Sequence, residues 1–377
     1  MEFIDLGAQQ ARIKDKIDAR IQDVLAHGRY IMGPEVIELE QALAGFCGVK
    51  HALTCANGTD ALLLALMALN VGENDVVFVP SFTFAASVEV VPTVGATPFF
   101  VDIDPATYNI DLESLKRSIH AVREHGLRPK AAISVDLFGL PADYAILVEL
   151  CRAEDLFLIE DSAQGWGAQY NNQKTGSFGD IATTSFFPAK PLGCYGDGGA
   201  IFTNNDAYAA TIDSLRVHGK GSEKYDNVRV GMNSRLDTLQ AAILLEKLAI
   251  YADEIEARQS IAARYSTQLE DVIAVPFKPN NRHSIWAQYT LRAKTRQQRD
   301  FLMAELKKNG VPSVIYYPVP LHEQTAYKDV LIDPEGLSHS AQASETVFSL
   351  PMSAYLTESD QDKVCAVLRD ALQSYTS

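Results

Sequence analysis

The chain has 377 residues, and 33 Lys and Arg against 48 Asp and Glu give it a formal charge of −15. At about 150 residues per domain this length fits two to three domain-sized units, and 47% hydrophobic with 21% charged residues is an ordinary globular balance. The acidity disfavours a nucleic-acid partner, no run approaches the ~18–20 apolar residues of a membrane helix, and Met1-Glu2-Phe3-Ile4-Asp5 lacks the basic and apolar regions of a signal peptide.

In chain order, residues 11–27 carry Ile13, Ile17, Ile21, Val24 and Leu25 at helical spacing. The stretch 28–34, with Gly28, Gly33 and Pro34, breaks that pattern, and a second helix is expected over 35–46. Short β-rich runs then alternate with helical segments. Strands are expected at 52–55, 76–79, 98–103, 131–137, 156–159, 181–187 and 199–203. Helices are expected at 58–69, 84–94, 112–124, 142–153 and 206–217. Continuous apolar strands alternating with helices mark a largely parallel sheet covered on both faces. A long helix over 237–268 leads into a different pattern, with strands at 289–293, 314–317 and 347–350 and helices at 297–309 and 360–375. The expected organisation is α/β. Residues 1–245 supply N-terminal helices and a large sheet domain, and 246–377 a smaller α+β domain.

Cys47, Cys55, Cys151, Cys194 and Cys365 are odd in number and scattered, with no C-x-x-C. That argues against a disulfide framework or a zinc site, so no metal is expected, and it fits a reducing cytoplasm.

Ligands of open α/β sheets sit at the carboxyl ends of the strands, and four places there carry polar residues. Asn57-Gly58-Thr59-Asp60 stands between a strand and an apolar helix. The free N–H groups of a helix start hold phosphate well, although Thr59 or Asp60 equally reads as an N-cap. Asp161 and Gln164 follow the strand expected at 156–159; a buried carboxylate there calls for a cationic partner, and an exposed loop acid is the plain alternative. Lys190 lies between Pro188 and Pro191 past another apolar strand, followed by four glycines in seven residues, Gly193 to Gly199. It reads either as a solvated end-of-strand lysine or as an amine made nucleophilic by partial desolvation. Arg229 and Arg235 precede the long helix, where they either recognise an anion or flank a helix start. Helix-start N–H groups, a carboxylate, and a lysine 29 residues after it, in that order, are the parts of a pyridoxal-phosphate site.

These residues resemble the DegT/DnrJ/EryC1/StrS family of pyridoxal-phosphate-dependent sugar aminotransferases. The resemblance runs from Phe3-Ile4-Asp5-Leu6 to Ser349-Leu350-Pro351-Met352. Its most specific piece is Ser185-x-x-x-x-Lys190 with Gly196-Asp197-Gly198-Gly199. Asn57-Gly58-Thr59-Asp60-Ala61-Leu62, Glu160-Asp161-x-Ala163-Gln164 and Asn233-Ser234-Arg235-Leu236 agree with it in order. The resemblance implies fold type I of the pyridoxal-phosphate transferases and a homodimer with shared active sites. It implies Lys190 as the Schiff-base lysine, Asp161 on the pyridine nitrogen and Gln164 on the ring hydroxyl. Ser185 and the backbone of Gly58 and Thr59 would hold the phosphate, Phe84 would stack on the ring, and Asn233 would reach the phosphate from the other subunit.

Within the family, Asn57 to Asp60 and Gly196 to Gly199 are more similar to members that aminate C3 of a nucleotide keto-sugar; many C4-aminating members resemble S-G-T-A and G-E-G-G instead. The run from Ser185 to Ala200, with Pro191, Cys194 and Tyr195, is similar to members acting on UDP-2-acetamido-2-deoxy-3-oxo-glucuronate in bacterial O-antigen synthesis. Ping-pong transfer from glutamate is then expected, with Arg229, Arg235 and His322 on the diphosphate or uronate and Tyr316 and Tyr317 lining the sugar. Tyr316 and Ser353 stand where many members have His. A C4 aminotransferase acting on a UDP- or dTDP-4-keto-sugar is the alternative. Lys190 opposes a sugar dehydratase, since those members carry His there. No basic appendage supports a non-catalytic regulator, and the early Gly-x-Gly-x-x-Gly of a nicotinamide enzyme is missing.

Overall fold

A computed structural model describes residues 1–223 and 225–375. Two helices open the chain, α1 (Leu6–His27) and α2 (Pro34–Cys47). The Asp5 carboxylate caps α1, accepting from Ala8 N at 2.8 Å. This cap starts α1 five residues before the expected stretch that opens at residue 11. The alternating region follows as β1 (His51–Cys55), α3 (Gly58–Ala68), β2 (Asp75–Pro80), α4 (Ala86–Thr93), β3 (Thr97–Val101), α5 (Leu112–Glu124), β4 (Arg128–Val135), α6 (Tyr144–Ala153) and β5 (Phe157–Asp161). Two short strands, β6 (Gln169–Tyr170) and β7 (Gln173–Lys174), precede β8 (Ile181–Ser185), β9 (Gly199–Thr203), α7 (Asp206–Leu215) and α8 (Thr238–Leu269). The remainder comprises β10 (Arg282–His283), β11 (Tyr289–Arg292), α9 (Arg296–Lys308), β12 (Leu331–Ile332), α10 (Ser338–Thr346), β13 (Val347–Leu350) and α11 (Glu358–Tyr375).

The main sheet has the order β1-β9-β8-β5-β4-β2-β3-β12. From β8 to β12 neighbouring strands are parallel, whereas β9 runs antiparallel to both β1 and β8. Burial on both faces explains the unbroken apolar strands. Along β2, Val77 and Val79 join one core with α3 and α4, while Val76 and Phe78 join the opposite core with α5 and α6. Each such side chain contributes about 1.5–3 kcal/mol on burial. Helix α8 crosses residue 245 without a break. Its first half places Leu244 in a core with α2, and its second half places Ile261 and Tyr265 in a separate core with β11, β13, α9 and α11.

Two expectations change. The run 314–317 makes only one isolated bridge, Val314 with Ser349, and not a strand. Pro318 follows it directly, and Tyr316 and Tyr317 pack against the large core instead. The chain also returns to the large sheet after α9. There β12 pairs with β3, and Leu321, Leu337, Ala343 and Val347 enter the core beneath. All five cysteines are buried and unpaired, and burial pushes their thiols up. Among the described residues, no helix is long and apolar enough to cross a membrane.

Candidate active site

The carboxyl ends of β5 and β8, the start of α3 and the turn after β8 converge on a cavity of about 710 Å3. The turn after β8 is tightly wound. Phe186 N donates to Gly198 O (2.7 Å), Lys190 N to Phe187 O (2.8 Å) and Cys194 N to Phe186 O (2.7 Å). Gly193 is required there, since a Cβ would lie 2.5 Å from Pro188 O and 2.6 Å from Phe187 O. Helix α8 supports the turn from behind. Gln240 Oε1 accepts from Tyr195 N at 2.8 Å, and Lys247 Nζ donates to Gly193 O at 2.6 Å. Lys247 is itself buried, which lowers its pKa to about 8.

This turn projects Lys190 into the cavity. The surrounding protein holds the Lys190 pKa below the usual lysine value, and the charge of Asp161 opposes that shift. Lowering it enlarges the fraction present as free amine, the nucleophilic form. Asp161 ends β5 and is only 5% exposed, so the exposed-loop alternative falls. Its Oδ2 accepts from Ser87 Oγ at 2.8 Å and its Oδ1 from Ala163 N at 3.1 Å. Burial pushes the carboxyl up, while Ser87, Ala163 and Lys190 pull the other way.

The helix start is packed against β8. A Cβ at Gly58 would lie 2.7 Å from Ser185 Cβ, and one at Gly199 would lie 2.5 Å from Asn57 O. Glycine at both positions lets α3 begin in contact with the ends of β8 and β9. The N-cap is Asn57, whose Oδ1 accepts from Asp60 N at 2.8 Å, and not Thr59 or Asp60. The amides of Gly58 and Thr59 therefore face the cavity without an intrahelical partner. On the opposite wall, Gln164 Oε1 accepts from Phe138 N (2.8 Å) and its Nε2 donates to the Tyr317 hydroxyl (2.9 Å). Burial pushes the Tyr317 phenol up. Phe84 lies with its ring centroid 6.3 Å from that of Tyr317.

Of the residues expected at the site, Gly58, Thr59, Phe84, Asp161, Gln164, Ser185, Lys190, Tyr316 and Tyr317 line this cavity. Arg229, Asn233, Arg235 and His322 do not. Arg229 and Asn233 are exposed, and Arg235 Nη2 donates to Asn233 Oδ1 at 2.5 Å. His322 Nδ1 lies 2.6 Å from Ser81 Oγ at the end of β2. Ser353 is buried and is not part of the cavity lining, its Oγ accepting from Tyr355 N at 3.3 Å. Sequence reasoning missed Ser87 and Gln288. Ser87 lies only three residues past Phe84, but nothing local shows that its hydroxyl meets a carboxylate 74 residues away. Gln288 lines the wall with its Oε1 buried and unpartnered among the described residues.

An amine and a buried carboxylate in one pocket, faced by free helix-start amides and a serine, suit a cofactor with an aldehyde, a basic ring nitrogen and a phosphate. That combination defines the pyridoxal-phosphate class of enzymes. The model of the DegT/DnrJ/EryC1/StrS aminotransferase family matches residues 11–369, and the chain belongs to that family. It is 48% identical to the UDP-2-acetamido-2-deoxy-3-oxo-D-glucuronate aminotransferase of Pseudomonas aeruginosa, over 98% of this chain and 99% of that one. A DegT DnrJ EryC1 StrS aminotransferase from Brucella abortus is 54% identical with a TM-score of 0.96, covering 98% of this chain and 99% of that one. A sugar aminotransferase from Streptococcus pneumoniae, solved in its PLP form, is 26% identical with a TM-score of 0.87, covering 96% of each chain. The protein is a pyridoxal-phosphate-dependent aminotransferase.

Proposed function

We propose that this aminotransferase aminates C3 of UDP-2-acetamido-2-deoxy-3-oxo-D-glucuronate, with glutamate as donor, in the cytoplasm and for O-antigen synthesis. The observation that carries this reading is the 48% identity, across nearly all of both chains, to an enzyme named for that substrate. Pyridoxal phosphate, when bound, supplies an aldehyde that links to amines and a ring that takes up the electrons of a broken C–H bond. Lys190 Nζ would hold the cofactor through its aldehyde. The Lys190 amine, its pKa lowered, would also serve as the base that takes up and returns the proton moved in the transfer, one group serving both directions. Asp161 would hold a proton on the ring nitrogen. Ser185 and the amides of Gly58 and Thr59 would bind the phosphate, and Gln164, held by Tyr317, would serve the ring hydroxyl. Phe84 would cover the ring, and Tyr316 and Tyr317 would line the sugar. The same lysine would serve the keto-sugar half-reaction, moving the proton in the opposite direction.

The exposure of Arg229, Asn233, Val228 (55%) and Val230 (89%) supports a homodimer. A second copy would bring Asn233 to the phosphate and Arg229 and Arg235 to the diphosphate or uronate. His322, on the cavity's own chain, is the remaining candidate for the uronate.

The test mixes the cofactor-loaded protein with UDP-linked 3-amino and 4-amino sugars in turn and follows the visible absorbance of the lysine-bound cofactor. Loss of that band with the 3-amino uronate alone is expected; loss with a 4-amino sugar alone would overturn the C3 reading. Replacing Lys190 with Ala should remove the band and lower turnover by at least about 10²–10⁴-fold.

A further inference from the structure

Behind Asp161 lie two more carboxyl groups, Asp136 and Glu160, which have no part in the chemistry above. Glu160 precedes Asp161 on β5 and pairs across the sheet with Ser134 of β4. Asp136 follows β4 directly and donates its backbone N–H to the Asp161 carbonyl at 3.0 Å. Both side chains are wholly buried, at 0% exposure. Glu160 Oε1 accepts from Gly176 N (2.5 Å) and its Oε2 from Phe178 N (2.8 Å). Asp136 Oδ1 accepts from Ala142 N (3.0 Å) and from the Tyr144 hydroxyl (2.7 Å). The charged and titratable groups that act most strongly on the two are each other, Tyr144 and Asp161, with no cation among them.

Asp136 Oδ2 is buried and has no donor among the described residues. Glu160 lies beside it: its strand partner Ser134 is two residues before Asp136, and Tyr144, which bonds Asp136, stacks at 4.3 Å on Phe178, whose N–H bonds Glu160. Two carboxylates cannot bond to one another, because each only accepts. A proton on either one supplies the missing donor. It also avoids burying two anions together without a counter-charge. Burial pushes both carboxyls up, in the same sense. The pair also touches the site. A Cβ at Gly165 would lie 2.4 Å from Asp136 Cβ and 3.1 Å from its Oδ2, so the turn bearing Gln164 rests on this carboxyl.

We propose that Asp136 and Glu160 share one proton, and that the pair is a positioning group for Asp161, setting one fixed negative charge behind it. The proposal rests on the reading of Asp161 as partner of the pyridine nitrogen. One negative charge behind Asp161 strengthens its hold on a protonated ring. A second would drive Asp161 to take up a proton of its own and lose that hold, and the shared proton prevents this.

Two measurements test it on the full-length chain. The first is hydrogen–deuterium difference infrared spectroscopy at neutral pH, with and without pyridoxal phosphate, reading the carbonyl stretch of a buried protonated carboxyl. The band should be present in the wild type and in Asp161→Asn, and absent from Asp136→Asn and Glu160→Gln. A wild type without the band, a band that survives in both amide variants, or its loss in Asp161→Asn would overturn the shared proton.

The second is the ratio of affinities for pyridoxal phosphate and for its deaza analogue, which lacks the ring nitrogen; binding of the analogue reports that the pocket is intact. Each single amide variant keeps one negative charge in the pair and should keep the wild-type ratio. The double variant Asp136→Asn/Glu160→Gln has none, and its ratio should fall by about tenfold, the equivalent of one pKa unit. An unchanged ratio in the double variant would overturn the charge role. If Asp161→Asn itself left the ratio unchanged, the reading of Asp161 would fail, while the infrared result would still decide the shared proton.

Discussion

A single methyl group at position 58 would meet Ser185 Cβ at 2.7 Å, closer than packed atoms allow. Overpacking of this kind costs about 1–3 kcal/mol, and here it falls on the groups proposed to hold the phosphate. Gly58→Ala is therefore expected to raise the Kd for pyridoxal phosphate by roughly tenfold, measured by cofactor titration. Gly45→Ala, with no atom within 4 Å among the described residues, should leave that Kd unchanged. Lys190, Asp161 and Ser185 were legible in the sequence because each stands at a fixed offset beside a strand end or a glycine-rich turn. Ser87 and Gln288 were not. Their importance lies in what meets them across the fold, a carboxylate 74 residues away in one case and a cavity wall in the other.

At the scale of elements, α8 secures the turn that carries Lys190 through Gln240 and Lys247, two turns apart on one helix face. The folded chain releases the Lys247 proton near pH 8, whereas the unfolded chain keeps it to about 10.5. Between those values the folded state binds fewer protons, so stability contributed at this site rises with pH; below about 8 the cost of the buried charge is fully present. Denaturant unfolding of wild type and Lys247→Met should show the wild type gaining on the variant from pH 8 to 10.5. A constant difference would contradict this. Losing the bond to Gly193 O leaves a buried acceptor, worth about 1–3 kcal/mol, and turnover should fall more than KM changes.

Most long elements could be read from apolar periodicity to within a few residues, and the parallel sheet followed from apolar strands alternating with helices. Two-residue strands such as β6, β7, β10 and β12 are too short to carry a period. The return of β12 to the large sheet is a long-range pairing that no local pattern announces.

At the scale of the whole molecule, the residues proposed to complete the site lie outside the cavity of their own chain. If a second copy supplies them, Lys190→Ala and Asn233→Ala damage different halves of each site. Mixing the two variants after subunit exchange should then restore part of the wild-type activity, since some mixed dimers contain one intact site. A mixture no more active than its components would rule out sharing through Asn233. The charge of −15 does not oppose phosphate ligands in such an assembly, because the proposed contacts are amides, hydroxyls and a few arginines inside the pocket.

The five buried thiols have a practical consequence. With burial pushing each thiol up, little thiolate is present at neutral pH, and alkylating reagents should reach these positions only as the fold opens. A cysteine placed on the surface would then be the one fast-reacting thiol of the native protein, without any background substitutions. A spin label or fluorophore attached near Val230 would report directly on how two copies approach one another in solution.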